Sequence, residues 1–417
     1  MSERRRGNIR VVKDPVDSEE KLIQELMNEL DGKDPEEEAK LKEKKAREKK
    51  GRRNRIIIAV VAIVLLIAYG CYAHFYTFKT AKLSHTYTEA ASNDGSYVSF
   101  QNGILRYSRD GVTFLNTRGA AQWDQSYQIK TPIVDVSEES AAIADKGGNT
   151  IVVLTKDGLK GEITTTLPIE KISVSEQGIV CAILEDENEP RIVCYDAAGN
   201  LLIEHKTSFD GTGYPVSASI SEDGEGLQVV YDGATGTDVC SKVVFYDFSE
   251  ESGTDGNHIK ASFDYEGTIM ANGAYMDDKN AMAIGDDKVI FYRVEESVEE
   301  TAVIELDKKI KLAVNDEDYV ALVLYGEGEA GYELRLYDTD GEEHMSENFT
   351  GEYKHISMER HQVILYDGKK CNIFLASGIH KFVGEMNENI QAIVPVSGIN
   401  KYVVMDVDGM EIVRLSR

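Results

Sequence analysis

From about Ser92 to the C-terminus, the chain repeats one cadence of short strands. An apolar segment ends in Ser or Asn, a turn follows, and two further apolar segments lead to a turn of the DG or YDxxG kind. The clearest copy is KISVSEQGIVCAILEDENEPRIVCYDAAGNLLIEH (171–205), and the segments 133–163 and 310–344 repeat it. Alternating Val, Ile, Tyr and Leu between Gly, Asp and Asn turns is typical of β-hairpins. The sequence therefore predicts an all-β domain built from repeats.

The period of the repeat selects the architecture. The first strand of each copy begins near residues 97, 133, 171, 216, 268, 311, 355 and 391, so successive copies start 36 to 52 residues apart. This is the length of a four-stranded propeller blade, and it is too long for a turn of a leucine-rich or hexapeptide solenoid. We predict a β-propeller of eight blades over residues 92–417. Seven blades is the alternative if one copy is misassigned.

The last copy, residues 391–417, contains only three strands. The segment AKLSHTYTEA (81–90), in a linker at 77–91, is placed to supply the fourth strand. Such a closure removes exposed strand edges, which otherwise promote aggregation. We therefore expect the two ends of the propeller to share one blade.

An apolar segment of 21 residues precedes the repeats, IIIAVVAIVLLIAYGCYAHFY (56–76). At a helical rise of 1.5 Å per residue it spans roughly 30 Å, the thickness of the hydrocarbon core of a bilayer. It is apolar on every side, unlike a core helix with one polar face. A long charged segment comes before it, unlike the short n-region of a cleaved signal peptide. We predict an uncleaved signal-anchor that crosses the membrane once.

The charges around this segment give it a direction. The basic stretch KEKKAREKKGRRNR precedes it, whereas Lys79 and Lys82 are the only bases in the twenty residues after it. The positive-inside rule places the N-terminus in the cytoplasm and the C-terminal domain outside the cell membrane. The predicted membrane-interface residues are Arg52, Arg53, Arg55, Tyr72, Phe75 and Tyr76.

Residues 1–55 form a charged tail with one amphipathic segment, DSEEKLIQELMNEL (17–30). In a helix its residues Leu22, Ile23, Leu26, Met27 and Leu30 share one face. Two interpretations stay open: docking on a cytoplasmic partner or on the inner leaflet, or a helix without a partner, since so short a helix barely folds alone. A second charged helix is predicted from Pro35 toward the membrane segment.

The acidic surplus belongs to the C-terminal domain. Residues 1–55 carry 17 bases and 14 acids, whereas the rest of the chain carries 29 bases and 59 acids. So acidic a surface repels phosphate backbones, which excludes nucleic acid as a partner. Acidic clusters such as Asp316-Glu317-Asp318 lack the distal Glu of a calcium loop and are typical of turns. The sequence predicts no metal site.

The five cysteines are Cys71 in the membrane segment and Cys181, Cys194, Cys240 and Cys371 in the repeats. They form no CxxC pair and no zinc-ligand spacing with histidine. Cys181 and Cys194 flank EDENEP symmetrically, so a hairpin there sets them opposite each other. They are either a cross-strand disulfide or two small buried hydrophobic residues. We favour the second because the other two cysteines of the domain are far apart in sequence.

Motifs for catalysis are missing from the repeats, residues 92–417, which contain no GxSxG, SxxK or HExxH. We predict no catalytic residue, no cofactor and no cofactor-binding residue. The strand cadence and turns such as YDAAG and YDTDG resemble the quinoprotein-like and YVTN-like propeller superfamilies. The layout is also similar to an uncharacterised bacterial family of single-pass membrane proteins with a propeller ectodomain. Quinoprotein enzymes dock their blades with tryptophans, so the single Trp123 argues against that activity.

The fold-level resemblance implies a non-catalytic binding or scaffold protein of the cell envelope, with a protein or peptide partner on one propeller face. The loops FDGTGYP (209–215) and NFTGEYK (348–354) are predicted binding loops. One alternative is a sensor that relays ligand binding to residues 17–30. The other is an envelope enzyme acting on a glycan or small molecule, which needs paired carboxylates in the central funnel.

Overall fold

The computed structural model describes residues 16–31, 35–87, 95–186, 189–207, 212–235, 238–249, 258–326 and 331–417. The chain divides into two compact units, residues 1–72 and 73–417. Helices build the first unit and strands build the second. Residues 1–15 and 32–34 of the charged tail lie outside the described ranges, as do residues 88–91 of the linker.

The N-terminal unit contains helix α1 (Val16–Asp31) and most of helix α2 (Pro35–Phe75). On α1, the side chains of Leu22, Ile23, Leu26 and Met27 are exposed, so nothing in the structure covers this apolar face. Helix α2 is long and apolar enough to cross a membrane, with a mean hydropathy of 2.4 over its apolar part. Within the described residues it is the single helix of this kind.

Within the described ranges the C-terminal unit forms six four-stranded sheets and one eight-stranded sheet. In each four-stranded sheet the strands pair antiparallel in chain order. Sheet 1 contains β2 (Ser96–Phe100), β3 (Gly103–Tyr107), β4 (Gly111–Asn116) and β5 (Ala121–Ser126). Sheet 2 contains β6 (Pro132–Val136), β7 (Ser140–Asp145), β8 (Thr150–Thr155) and β9 (Gly158–Thr164). Sheet 3 contains β10 (Ile169–Val174), β11 (Val180–Leu184), β12 (Arg191–Tyr195) and β13 (Leu201–Lys206).

Sheets 4 to 6 follow the same plan. Sheet 4 contains β14 (Tyr214–Ile220), β15 (Gly226–Thr235), β16 (Asp238–Asp247) and β17 (Ile259–Glu266). Sheet 5 contains β18 (Met270–Tyr275), β19 (Asn280–Gly285), β20 (Lys288–Val294) and β21 (Val298–Glu305). Sheet 6 contains β22 (Ile310–Asn315), β23 (Tyr319–Tyr325), β24 (Tyr332–Asp338) and β25 (Glu343–Phe349).

The eight-stranded sheet has the strand order β26-β27-β28-β29-β1-β32-β31-β30. Strand β1 (Phe78–Tyr87) pairs antiparallel with β32, from Thr80 opposite Ser416 to Tyr87 opposite Met410. It also touches β29 in parallel, where Phe78 lies opposite Phe382. The strand suggested at 81–90 thus overlaps β1, and its last three residues lie outside the described ranges. The other strands are β26 (His355–Met358), β27 (Gln362–Asp367), β28 (Lys370–Leu375), β29 (Ile379–Glu385), β30 (Ala392–Pro395), β31 (Lys401–Asp406) and β32 (Gly409–Ser416).

Burial explains why the repeat is visible in the sequence. Second and third strands such as β7, β8 and β11 are buried almost throughout, because a neighbouring sheet covers each of their faces. Their sequences are therefore continuous apolar runs rather than alternating ones. The fourth strand β13 alternates between exposed and half-buried residues. The first strands begin at residues 96, 132, 169, 214, 270, 310, 355 and 392, each within two residues of its predicted start.

The hydrophobic core is a ring of interfaces between sheets. Among the described residues, eight buried clusters each join two neighbouring four-stranded groups. One cluster packs Phe100 of sheet 1 against Ile143 of sheet 2. Another packs Met405 of the eight-stranded sheet against Leu115 of sheet 1, and there β30 lies beside β2. The circle of sheets is thus closed, which makes the unit a propeller-like fold.

Candidate functional site

A central channel runs along the first strands of the sheets. The cavity has a volume of about 1200 Å³, and its wall contains residues from β6, β10, β14 and β18. First strands pack against fewer apolar neighbours than second strands do. Their side chains are therefore half-buried and include polar residues, as in β6 and β22. A concave, partly polar cavity of this kind is the default position for a binding site.

The same kind of hydrogen bond joins neighbouring first strands at three junctions of the channel wall. The backbone N–H of Val174 donates to Asp135 Oδ2 at 2.7 Å, across the junction of sheets 2 and 3. At the next junction the N–H of Ile220 donates to Ser173 Oγ at 3.2 Å. At the following junction the N–H of Tyr275 donates to Ser219 Oγ at 3.0 Å. At these three junctions the polar residue near the end of one first strand therefore fixes the neighbouring first strand.

The turns after the first strands carry carboxylates to one end of the channel. A serine caps each of three of these turns by accepting a hydrogen bond from a backbone N–H. The serines Ser137, Ser175 and Ser221 accept from the N–H groups of Ser140, Ile179 and Gly226, respectively. The residue after each cap is a glutamate that projects beyond the turn. Two further glutamates lie in the turns after β22 and β26. We call these five residues the acidic mouth: Glu138, Glu176, Glu222, Glu317 and Glu359.

The carboxylates of the acidic mouth influence one another. Burial raises the pKa of Glu222 to about 7, and the charges of Glu176 and Glu317 add to the effect. The pKa values of Glu176 and Glu317 are also raised, in each case by burial and by the carboxylate of Glu138. Like charges held this close disfavour ionisation. The acidic mouth thus carries a concentrated negative charge that a bound cation would relieve.

Two further carboxylates of the channel have raised pKa values. Burial raises the pKa of Glu359 to about 7, although Ser99 donates a hydrogen bond to it and Arg360 lies nearby. Deeper in the channel, burial raises the pKa of Asp135 to about 6, opposed by the N–H of Val174. Paired carboxylates, which the enzyme alternative requires of this funnel, are therefore present. They serve equally well as a surface that binds cations.

The bases at the acidic mouth are few. Arg360 and His361 follow Glu359 in the turn after β26, and His361 Nδ1 lies 3.2 Å from Asp318 Oδ2. Across the described ranges, no three side chains of His, Cys, Asp or Glu are spaced to hold a metal ion. The arrangement suits an extended positively charged segment better than a single ion.

The two cysteines singled out by sequence lie directly opposite each other. Cys181 in β11 pairs in register with Cys194 in β12, and both side chains are buried. Both are free thiols. The hydrogen bond with Cys194, together with burial, raises the pKa of Cys181 well above its usual range. In the structure the pair fills space in the cluster between sheets 3 and 4.

The other predicted residues lie away from the channel. Trp123 in β5 stacks on Phe114 and donates its indole N–H to the carbonyl of Lys156 at 2.7 Å. The loop 348–354 joins β25 to β26, on the opposite side of the first strand from the acidic mouth. Residues 209–211 of the loop 209–215 are outside the described residues, and its last two residues begin β14. Of the predicted membrane-interface residues all but one belong to α2, and Tyr76 directly follows it.

Sequence reasoning missed the acidic mouth, although a signal for it was present. The copies read SEE at 137–139, SEQ at 175–177, SED at 221–223 and DED at 316–318. Aligning the copies puts an acid at one equivalent turn position in each. Taken singly, every one of these acids looks like an ordinary turn residue. The ring becomes visible only when the repeats are closed into a circle.

Comparisons with known proteins identify a family but no activity. A family model described as a family of unknown function, DUF5711, matches residues 74–415. No curated protein matches the sequence. Among solved structures, BamB from Moraxella catarrhalis is 12% identical, with a TM-score of 0.47 over 82% of this chain and 99% of that one. The computationally designed Ika8 protein is 11% identical, with a TM-score of 0.49 over 78% of this chain and 98% of that one. A eukaryotic initiation factor is 11% identical, with a TM-score of 0.45 over 72% of this chain and 80% of that one.

Proposed function

The chain belongs to the DUF5711 family, whose function is unknown, and we propose that it is a membrane-anchored binding protein of the cell envelope. Its propeller, outside the cytoplasm, binds a protein or peptide partner without catalysis. The partner presents a basic segment to the acidic mouth. The observation that carries this proposal is the convergence of five glutamates from five first-strand turns on one end of the channel.

The anchoring part of the proposal rests on α2. Its apolar part is exposed on all sides, which costs free energy in water and none in hydrocarbon. The bases before it, ending in Arg52, Arg53 and Arg55, favour a cytoplasmic N-terminus. Phe75 and Tyr76 at the other end suit the interface between the membrane and water on the extracytoplasmic side. The domain limits we propose are 1–55, 56–76, 77–91 and 92–417.

We assign eight blades to the propeller. The eight first strands and the eight clusters between four-stranded groups support this number. The eight-stranded sheet then counts as two blades that β1 joins, because β1 serves as the fourth strand beside β32. A ring of eight leaves a channel wide enough for an extended peptide to enter its mouth.

The electrostatic argument for the partner is direct. A narrow ring of carboxylates next to a low-dielectric wall focuses a negative potential, which raises the local concentration of cations and speeds their association. Nucleic acids and anionic lipids are repelled by the same potential. A Lys- or Arg-rich segment of an envelope protein satisfies both the charge and the elongated shape of the channel.

Photo-crosslinking in intact cells tests this function. A photoreactive residue replaces Asn102, at the channel wall, or Lys370, at the start of β28, as the matched control. We expect a crosslink to a protein with a basic segment from position 102 alone, and its loss when Glu138→Gln and Glu317→Gln are added. Crosslinks of equal yield from both positions, unaffected by these substitutions, would contradict the proposal. Replacing residues 1–75 by a foreign anchor, which leaves β1 intact, separates the role of the tether.

The cytoplasmic helix supports a second contact. Leu22, Ile23 and Met27 of α1 expose an apolar face that a partner protein or the inner leaflet would bury. A peptide of residues 16–31, which is net negative, should float with vesicles of zwitterionic lipid if the leaflet is the partner, because its apolar face would insert at the interface. Failure to float, combined with loss of partner crosslinks on deletion of residues 1–33, would instead indicate a protein.

A further inference from the structure

A second cavity lies between sheets 4 and 5. Its volume is about 790 Å³, which is within the range of small-molecule sites. Its apolar walls are Tyr246, Tyr275 and Val294, from β16, β18 and β20. Six carboxylates line its polar side, and none of them belongs to the acidic mouth: Asp223, Glu225, Asp247, Asp278, Glu295 and Glu296.

The charge in this cavity is unbalanced. Among the described residues, Lys260 is the only base of its lining, and its Nζ lies 2.9 Å from Asp247 Oδ2. Hydrogen bonds from Ser249 and Lys260 outweigh burial and lower the pKa of Asp247, so this pair is fully ionised and satisfied. The other five carboxylates have no basic partner among the described residues. The cavity therefore holds a surplus of negative charge beside an apolar wall.

A buried hydroxyl points at the same cavity. Tyr275 is only 9% exposed, and its ring packs edge-on against Phe245 with centroids 6.1 Å apart. Its hydroxyl has no hydrogen-bond partner within the described part of the chain and is open to the cavity, so a bound group can reach it. Burial, followed by the charges of Asp223, Asp247 and Asp278, raises the pKa of Tyr275, so the hydroxyl stays protonated.

A glycine leaves this hydroxyl accessible. A Cβ atom on Gly226 would lie 2.6 Å from the Tyr275 hydroxyl oxygen and 3.1 Å from Ser221 Oγ. Glycine thus leaves open the space beside the hydroxyl on the cavity side. The backbone around it is fixed, because the N–H of Asp223 donates to Asp278 Oδ1 at 2.9 Å and the N–H of Gly226 donates to Ser221 Oγ at 2.8 Å.

We propose that this cavity binds an organic cation, an ammonium or guanidinium group on an aliphatic stem. The stem packs on Tyr246 and Val294, and the cationic head donates hydrogen bonds to the Asp278 and Asp223 carboxylates and to the Tyr275 oxygen. The head relieves the charge surplus and gives the orphaned hydroxyl a partner. A bare metal ion fits less well, because no group of three ligands within the described residues is spaced to hold one.

The same chemistry has two sources, a Lys or Arg side chain of a bound protein and a free aliphatic diamine. The proposal does not rest on the membrane anchor, and its carboxylates are not those of the acidic mouth, although Tyr275 also lines the channel and the charge of Asp278 adds to the burial that raises the pKa of Glu222. Its failure would leave the proposed function in place, and the reverse also holds. Two arms of one titration distinguish the sources.

The test is a calorimetric titration of the full-length protein in lipid nanodiscs. The probes are N-acetyl-arginine amide, N-acetyl-lysine amide and 1,5-diaminopentane, with calcium chloride as a separate arm. We expect saturable binding of at least one organic probe. Binding of the blocked amino acids assigns the site to a protein side chain, and binding of the diamine alone assigns it to a free amine.

The variants decide where the probe binds. Asp278→Asn keeps the oxygen that accepts the Asp223 N–H but removes a charge, and we expect affinity to fall about tenfold. Tyr275→Phe removes one oxygen atom and retains the packing, so it should weaken binding severalfold with little effect on folding. Glu138→Gln, at the acidic mouth, is the matched control and should leave binding unchanged. Absence of saturable organic-cation binding, calcium binding alone, or equal losses in all three variants would overturn the proposal.

Discussion

The side-chain oxygens of Thr80 and Ser416 lie 2.7 Å apart, although 336 residues separate them in the chain. Thr80 Oγ1 is also 2.6 Å from the carbonyl oxygen of Arg417. Their strands, β1 and β32, pair antiparallel over seven registered positions. Because only Tyr76 and Thr77 separate α2 from β1, the strand that closes the propeller continues directly from the apolar helix. The proposed membrane anchor and the strand beside β32 are thus separated by two residues of chain.

Because β1 lies close to β29, we predict that one glycine of β29 cannot be replaced by a residue with a side chain. A Cβ on Gly384 in β29 would lie 2.4 Å from the carbonyl oxygen of Lys79 in β1. We expect Gly384→Ala to destabilise the propeller by about 1–3 kcal/mol, because the fixed backbones have to move apart. Urea unfolding of the full-length protein in nanodiscs measures the change in free energy.

The control for this prediction is Gly233→Ala in β15. Its Cβ would find its nearest neighbour at 3.5 Å, an ordinary contact. The free energy of unfolding should then change by no more than about 0.5 kcal/mol. Equal effects of the two substitutions would show that close approach of β1 to β29 does not matter for stability.

The hydrogen bond from the Val174 N–H to Asp135 predicts different results for two substitutions of Asp135. Asp135→Ala leaves the N–H of Val174 without an acceptor and should cost about 1–3 kcal/mol. Asp135→Asn keeps an oxygen acceptor and should cost much less. Thermal unfolding of the two variants side by side provides the measurement. A cost for Asn as large as that for Ala would assign the effect to the charge instead of the hydrogen bond.

The raised pKa of Glu222 predicts how stability varies with pH. Its folded-state pKa is about 7, against an ordinary value of 4.5. Between these values the folded chain holds a proton that the unfolded chain has lost, so stability falls as pH rises through this window and levels off above pH 7. We expect Glu222→Gln to flatten this slope in urea unfolding between pH 5 and pH 8. The exposed control Glu343→Gln, on β25, should retain the wild-type slope.

The cysteines predict a pattern of alkylation. Cys181, Cys194 and Cys371 are buried free thiols, and burial contributes to the raised pKa values of Cys181 and Cys371, whereas Cys240 is partly exposed. Iodoacetamide on the native protein without reductant should modify Cys240 but not the buried three, because the thiolate is the reactive form. Unfolding in urea, again without reductant, should make all of them reactive. Cys181 and Cys194 that react only after reduction would instead establish the disulfide.

The sequence was sufficient to predict the strands but not the site. Copies such as 171–205 mark each first strand within two residues, because burial on both faces imposes apolar runs on β11 and β12. The opposition of Cys181 and Cys194 also follows from local symmetry. The acidic mouth depends on ring closure, which brings Glu138 and Glu317 together although 179 positions separate them. No local pattern records such a distance.

The proposed basic partner is the central claim, and a binding titration tests it most directly. Fluorescence anisotropy follows a peptide of alternating Lys and Gly added to the full-length protein in nanodiscs at pH 8 and roughly physiological salt, where surface charges are screened beyond about 8 Å. Removing two charges at the acidic mouth, by Glu138→Gln with Glu317→Gln, should weaken binding about tenfold. Removing two exposed charges on fourth strands, by Glu266→Gln with Glu347→Gln, should weaken it less than about threefold. Equal losses from the two double variants would contradict the account.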